Sequence, residues 1–103
     1  MNVTFQNNFN ELEVRLTGEV DHHSVKGLSE SIDFKILRHQ PERLILDFGG
    51  VSFMDSSGLA VVMGRRKLMQ SRGGSVELRH LNGSAQKIFK MAGINRYVTV
   101  KED

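Results

Sequence analysis

The sequence contains no cysteine, which removes a disulfide scaffold, a thiolate metal site and a cysteine nucleophile together. No apolar run approaches the length of a membrane span, and the opening MNVTFQNNFN lacks the basic and apolar regions of a signal peptide. Charge of one sign is scarce as well. The formal net charge is +2, and apart from the adjacent Arg65, Arg66 and Lys67 the cations are scattered among acids, so direct nucleic-acid binding is not expected. These absences fit an intracellular protein with no membrane association. At 103 residues the chain can fill one core and not two, which predicts a single domain over 1–103. With 39% hydrophobic and 25% charged residues its composition is that of an ordinary globular protein.

What is present is strong periodicity. In ELEVRLTG, Leu12, Val14 and Leu16 alternate with Glu13, Arg15 and Thr17, the pattern of a half-buried strand. Val3 and Phe5 lie two apart just before it, and QNNFNE supplies turn residues between them, which predicts a hairpin. Val25, Leu28, Ile32 and Ile36 then fall at helical spacing. They predict an amphipathic helix capped by Asp21 or Ser24 and ended by the single proline, Pro41. The nearly continuous apolar run RLILDFGGVSF predicts a central strand covered on both faces. From Ser57 to about Ser71 the pattern is helical again, with Val61, Val62, Leu68 and Met69 on one stripe and Arg72 to Gly74 as the stop. SVELRHL reads as a strand, NGSAQKIFKMAGI as a short helix with Ile88, Phe89 and Ala92 inward and Gly93 at its end, and YVTV as a last strand. The order β-β-α-β-α-β-α-β predicts an α/β fold. Its sheet is mixed and mainly parallel, with an N-terminal antiparallel hairpin and helices packed on it.

In such sheets chemistry collects where strands end at their carboxyl side and helices begin. Two of those junctions carry unusual residues, TGEVDHH and FMDSSG. If their strands are neighbours, Asp21 and His22 lie close to Asp55 and Ser56. A hydroxyl at a helix N-terminus could accept a phosphoryl group, because the free backbone N–H groups there favour an anion. The same residues also suit a plain N-cap by Asp55 or Ser56. Ser57 is a competing acceptor, expected to turn its hydroxyl onto backbone carbonyls. Leu59, Met63 and Arg66 lie along a different edge of the helix from the apolar stripe. They read either as a docking surface, apolar with a polar rim, or as flanking core. Gly58 and Gly64 are expected to allow close backbone approach.

Other chemistries fit poorly. His22 and His23 are adjacent and are expected to point apart, with no further ligands nearby, so no metal and no cofactor is anticipated. A serine hydrolase elbow around Ser56 needs glycine where Met54 stands. A P-loop needs a lysine that GGVSFMDSSG lacks. A receiver-like domain phosphorylated on aspartate remains an alternative, with Asp47 and Asp55 near strand ends and Glu19 and Asp21 as an acidic pair.

The ordered set LTGEVDHH, LILDFGGVSFMDSSGLAVVMGRRK and KIFKMAGI resembles the STAS family over essentially the whole chain, and within it the anti-sigma factor antagonists of the sporulation regulon of endospore-forming bacteria. That resemblance implies a non-catalytic switch. It implies binding to an anti-sigma factor that is also an ATP-dependent serine kinase, release of the sigma factor, inactivation by phosphorylation and recovery through a serine phosphatase. The phosphoacceptor it implies is the serine directly after the aspartate, Ser56. The partner-binding residues anticipated around it are Asp21, His22, Asp55, Ser56, Ser57, Gly58, Leu59, Met63 and Arg66. A passive scaffold role in a stress-sensing complex is a further alternative within the same fold.

Overall fold

The computed structural model describes residues 2–101. Strands β1 (Asn2–Asn8) and β2 (Glu11–Val20) form the expected hairpin around Phe9 and Asn10. Helix α1 (Val25–His39) leads to β3 (Arg43–Met54), α2 (Gly58–Ser71), β4 (Ser75–Arg79), α3 (Gly83–Met91), a 3-10 turn at Ile94–Arg96, and β5 (Thr99–Lys101). The five strands lie in the order β1-β2-β3-β4-β5, antiparallel at β1–β2 and parallel elsewhere. The mixed, mainly parallel architecture is therefore as the periodicity predicts.

The alternation of β2 becomes a core row once register is fixed. Leu12 pairs with Leu44 and Val14 with Leu46, and these in turn pair with Val76 and Leu78 of β4. Onto this face α1 brings Leu28, Ile32 and Ile36, α2 brings Val61, Val62 and Met69, and α3 brings Ala85 and Phe89, all in one buried cluster. Phe89 meets Phe48 edge-on, ring centroids 5.2 Å apart, an arrangement favoured by the ring quadrupoles.

The expectation that β3 is covered by structure on both faces is corrected here. The helices supply one face only. On the other face, β3 carries Ile45 and Asp47, 1% and 8% exposed, beneath a lattice of charged side chains. Arg43 pairs with Glu11 at 3.0 Å and Glu77 at 3.7 Å, Arg15 with Glu13 and Asp47, and Arg79 with Glu77. Long side chains can cover apolar surface with their stems while their heads stay in water. A continuous apolar run in sequence therefore did not require a second layer of helices.

Smaller boundaries also shift. The β4 strand stops at Arg79 because His80 takes a left-handed backbone, φ 59°. The last strand begins at Thr99, with Tyr97 and Val98 in the turn after the 3-10 residues rather than in YVTV as a strand. Helix α2 starts at Gly58 and ends as its glycines predict. Gly73 is left-handed at φ 77°, and the Gly74 N–H donates back to the Met69 carbonyl at 2.8 Å, closing the last turn in a Schellman arrangement.

On α2 the buried stripe is Val61, Val62, Arg65 and Met69, while Leu68 is only partly buried. Arg65 replaces Leu68 because its guanidinium reaches Asp33 of α1 at 2.7 Å, tying the two helices together. Gly64, expected to permit close approach of the sheet or of a partner, does not approach the sheet: a Cβ there would meet nothing within 4 Å. Its backbone is helical, so Gly64→Ala is expected to raise stability by about 0.5–1 kcal/mol through the lower entropy of the unfolded chain. Equilibrium urea denaturation measures this, and an unchanged midpoint would contradict it.

Candidate functional site

The parallel pairing of β2 with β3 places Val20 opposite Met54, so the two unusual loops leave the sheet side by side. The Asp55 N–H donates to the Val20 carbonyl at 3.2 Å, extending the pairing one residue beyond the strand. From there the Asp55 carboxylate bridges both loops. Its Oδ2 accepts from the His22 backbone N–H at 3.3 Å, and the His22 ring lies 3.6 Å away. Its Oδ1 accepts from the Ser57 N–H at 2.9 Å and, in a very short contact, from the Ser57 hydroxyl. Asp55 is thus the side-chain cap of the turn that enters α2, although the formal N-cap, Ser57, makes no side-chain cap bond of its own.

Asp21 does the same for α1. Its Oδ1 accepts from the His23 and Ser24 N–H groups at 3.0 and 3.1 Å, while the Ser24 hydroxyl and the Asp21 backbone close the turn. Of the two anticipated capping residues, Asp21 holds the turn that enters α1, whereas Ser24 is the formal N-cap but makes no side-chain cap bond. His22 and His23 do not point apart as expected. They occupy a turn rather than a helix or strand, and their ring centroids are 3.9 Å apart. Among the described residues no group of three or more His, Cys, Asp or Glu could hold a metal ion.

The two serines end in different states. The Ser57 hydroxyl is half-buried and donates to Asp55, not to a backbone carbonyl as expected. Its preference follows from charge, since a carboxylate is a stronger acceptor than a neutral carbonyl. Ser56 is exposed, and among the described residues its hydroxyl has no hydrogen-bond partner. The geometry leaves one free nucleophilic oxygen, one position before the N-cap of a 14-residue helix.

Gly58 behind it is buried because the helix start lies on Met54. A Cβ there would come within 2.3 Å of the Met54 sulfur. Leu59 and Met63 are partly buried against the core and partly open, so each joins core and surface. Arg66 is not brought to the loop. Two turns along α2, its Nε donates to the Tyr97 carbonyl at 2.8 Å. One contributor was not read from the sequence: the Ser84 hydroxyl of α3 accepts from the Met54 N–H at 2.9 Å. The β4 partners of β3 end at Asp47, which leaves the later N–H groups of β3 in need of acceptors. A serine in the first turn of the next helix is the only hint the sequence offers.

The site is electrostatically ordered by these contacts. The Ser57 hydroxyl, then the Ser57 N–H, hold the Asp55 carboxyl below its ordinary value, against a smaller opposing effect of burial, with His22 adding to the lowering. For Asp21 burial is the largest single influence and acts upward, but the N–H groups of Ser24 and His23, the charge of His23 and the Ser24 hydroxyl together outweigh it, so that Asp21 too is lowered. A lowered folded-state value means stability that is complete above the ordinary 3.8 and is lost as pH falls through the lower folded value. The stability difference between wild type and Asp55→Asn is therefore expected to be full at neutral pH and to shrink below about pH 4. Urea denaturation across pH 2–7 checks it. A difference that grows on acidification would refute the capping role of the carboxylate.

Comparison with known proteins adds an independent line. The family model for the STAS domain matches residues 1–103. An anti-sigma F factor antagonist of Paenibacillus polymyxa is 35% identical over 92 residues, covering 89% of this chain and 79% of that protein. An anti-sigma-B factor antagonist of Bacillus subtilis (strain 168) is 31% identical over 100 residues, covering 97% of this chain and 90% of that protein. Among solved structures, the anti-sigma factor antagonist SpoIIAA in its unphosphorylated form superposes with a TM-score of 0.84 at 26% identity, covering 99% of this chain and 90% of that one.

Proposed function

The chain belongs to the STAS domain family, and on that premise we propose that it is a cytoplasmic anti-sigma factor antagonist, a binding regulator rather than an enzyme. In its unphosphorylated form it binds an anti-sigma factor that is also a serine kinase and so frees the sigma factor. The sigma factor is that of the sporulation regulon, following the more similar of the two antagonists compared. Phosphorylation of Ser56 switches the protein off, and a serine phosphatase restores it. The observation that carries this reading is the contrast between neighbours: Ser57 is committed to Asp55, and the Ser56 hydroxyl is exposed with no partner among the described residues.

The chemistry needs little from this chain. The Ser56 oxygen attacks the γ-phosphorus of ATP held by the kinase, a new O–P bond forms, and the bond to the ADP oxygen breaks. The serine proton leaves to a base on the kinase. What the chain supplies is presentation: Asp55 fixes the turn, Ser84 anchors the strand end before it, and Gly58 lets the helix start lie flat on Met54. The partner-facing residues we assign are Asp21, His22, Asp55, Ser56, Ser57 and Gly58, with the open edges of Leu59 and Met63 beside them. No described helix is long and apolar enough to cross a membrane.

Incubation with the cognate kinase and ATP, followed by phosphopeptide mass spectrometry, tests the assignment. One acid-stable phosphoserine is expected at Ser56, and none on Ser56→Ala. Phosphate on Ser57 of that variant would move the site. A labile acyl phosphate formed from acetyl phosphate would favour the receiver-like alternative.

A further inference from the structure

Four arginines are held against carboxylates. Arg15, Arg43 and Arg79 sit in the charged lattice of the open sheet face, and Arg65 is paired with Asp33. Arg66 and Arg96 are different. Their guanidinium carbons lie 5.2 and 5.7 Å from the centroid of one aromatic ring, that of Tyr97. Neither has a carboxylate partner among the described residues. Both line a cleft of about 310 Å³ between the second half of α2 and the 3-10 turn, with Gln70, Ser75 and Asn95 also on its wall and no acidic side chain among its lining residues.

We propose that this cleft binds a small oxyanion, inorganic phosphate or a phosphomonoester group, through the guanidinium groups of Arg66 and Arg96. Two guanidinium groups gathered at one ring repel each other. An anion between them reverses the sign of the local interaction. The donors are suited to it. Arg66 is held by Nε on the Tyr97 carbonyl at 2.8 Å, and Arg96 by a long Nε contact to the Gly93 carbonyl at 3.4 Å. Those anchors leave the terminal N–H groups of both side chains available, and a planar guanidinium presents them as a fork that matches phosphate oxygens. The neighbouring hydroxyl and amide side chains can complete the shell of a tetrahedral anion. The cleft is larger than inorganic phosphate alone requires, which leaves room for the organic part of an ester.

The protein carries its own reporter, since Tyr97 is its single tyrosine and it has no tryptophan. Inorganic phosphate is titrated at constant ionic strength, balanced with chloride, while tyrosine emission and the arginine Nε–H resonances are followed by fluorescence and NMR. The expected result is a saturable change in Tyr97 emission and in the Arg66 and Arg96 Nε–H signals at millimolar phosphate. Arg96→Gln is expected to weaken that response at least tenfold while its amide spectrum elsewhere stays that of the folded protein. A response linear in phosphate, an equal response to chloride, or undiminished binding by Arg96→Gln would each overturn the proposal. Glycerol phosphate compared with inorganic phosphate distinguishes the two sources: tighter binding of the ester assigns the site to phosphomonoesters, and equal binding to the free anion.

Discussion

Ser56→Asp is expected to weaken binding of the anti-sigma factor by about a hundredfold or more, with no loss of fold stability. The two halves of that expectation have separate causes. A hundredfold in affinity corresponds to about 2.7 kcal/mol, at about 1.4 kcal/mol per tenfold. A carboxylate at position 56 stands beside the Asp55 carboxylate on the surface assigned to the partner, and a buried unpaired charge in an interface costs that much or more. In the free protein the same charge is exposed at the start of α2, where the helix end favours an anion by about 0.3–1 kcal/mol. A phosphate, with about 1.5–2 negative charges at neutral pH, should act more strongly in the same direction. Calorimetric titration of the purified partner, alongside thermal melts of wild type and Ser56→Asp, separates the effects. Binding as tight as that of wild type would remove the basis of the switch, whereas a collapsed melting transition would mean that position 56 acts through folding.

The second large effect is expected away from the switch. Asp33→Ala should destabilise the protein by roughly 2–3 kcal/mol, because it strands the Arg65 charge between α1 and α2. Breaking a fully buried pair costs more, about 3–5 kcal/mol. Here the Arg65 side chain is 10% exposed but that of Asp33 is 35% exposed, so water can follow the deletion and lower the cost. The pair is not a stabilising device in itself. Burial raises the Asp33 carboxyl above its ordinary value and the nearby Arg65 only partly offsets this. Arg65 Nη1 is also buried without a hydrogen-bond partner. The double replacement Asp33→Leu with Arg65→Met is therefore expected to be at least as stable as wild type. Urea denaturation of the three proteins decides it. Equal losses in the single and double variants would mean that α1 and α2 depend on the charge pair itself.

Much of this molecule can be read without coordinates. Alternation in β2, helical spacing in α1 and α2, and the glycine stop after Ser71 are local signals, each set by backbone geometry within a few residues, and all three elements form where those signals lie. The junction that carries Ser56 could be picked out because an acid, two serines and a glycine meet at a strand-to-helix seam, while the choice of Ser56 over Ser57 came from the resemblance to the STAS family. Other features were illegible because they depend on partners distant in sequence. Arg65 reads as a surface cation until α1 brings Asp33 beside it, and Ser84 reads as a helix-start serine until the short β4 leaves Met54 without a neighbour on that side. Arg66 reads as a neighbour of Ser56 until the turn after the 3-10 residues offers the Tyr97 carbonyl.

The order of strands and helices, most of the core residues and the position of the loop that carries Ser56 were thus determined by the sequence alone, because periodicity and turn chemistry act over short range. Only the tertiary structure decided which serine is free, which face of the sheet stays open and which charges are buried. Each of those depends on hydrogen-bond partners and solvent exclusion supplied by segments tens of residues away.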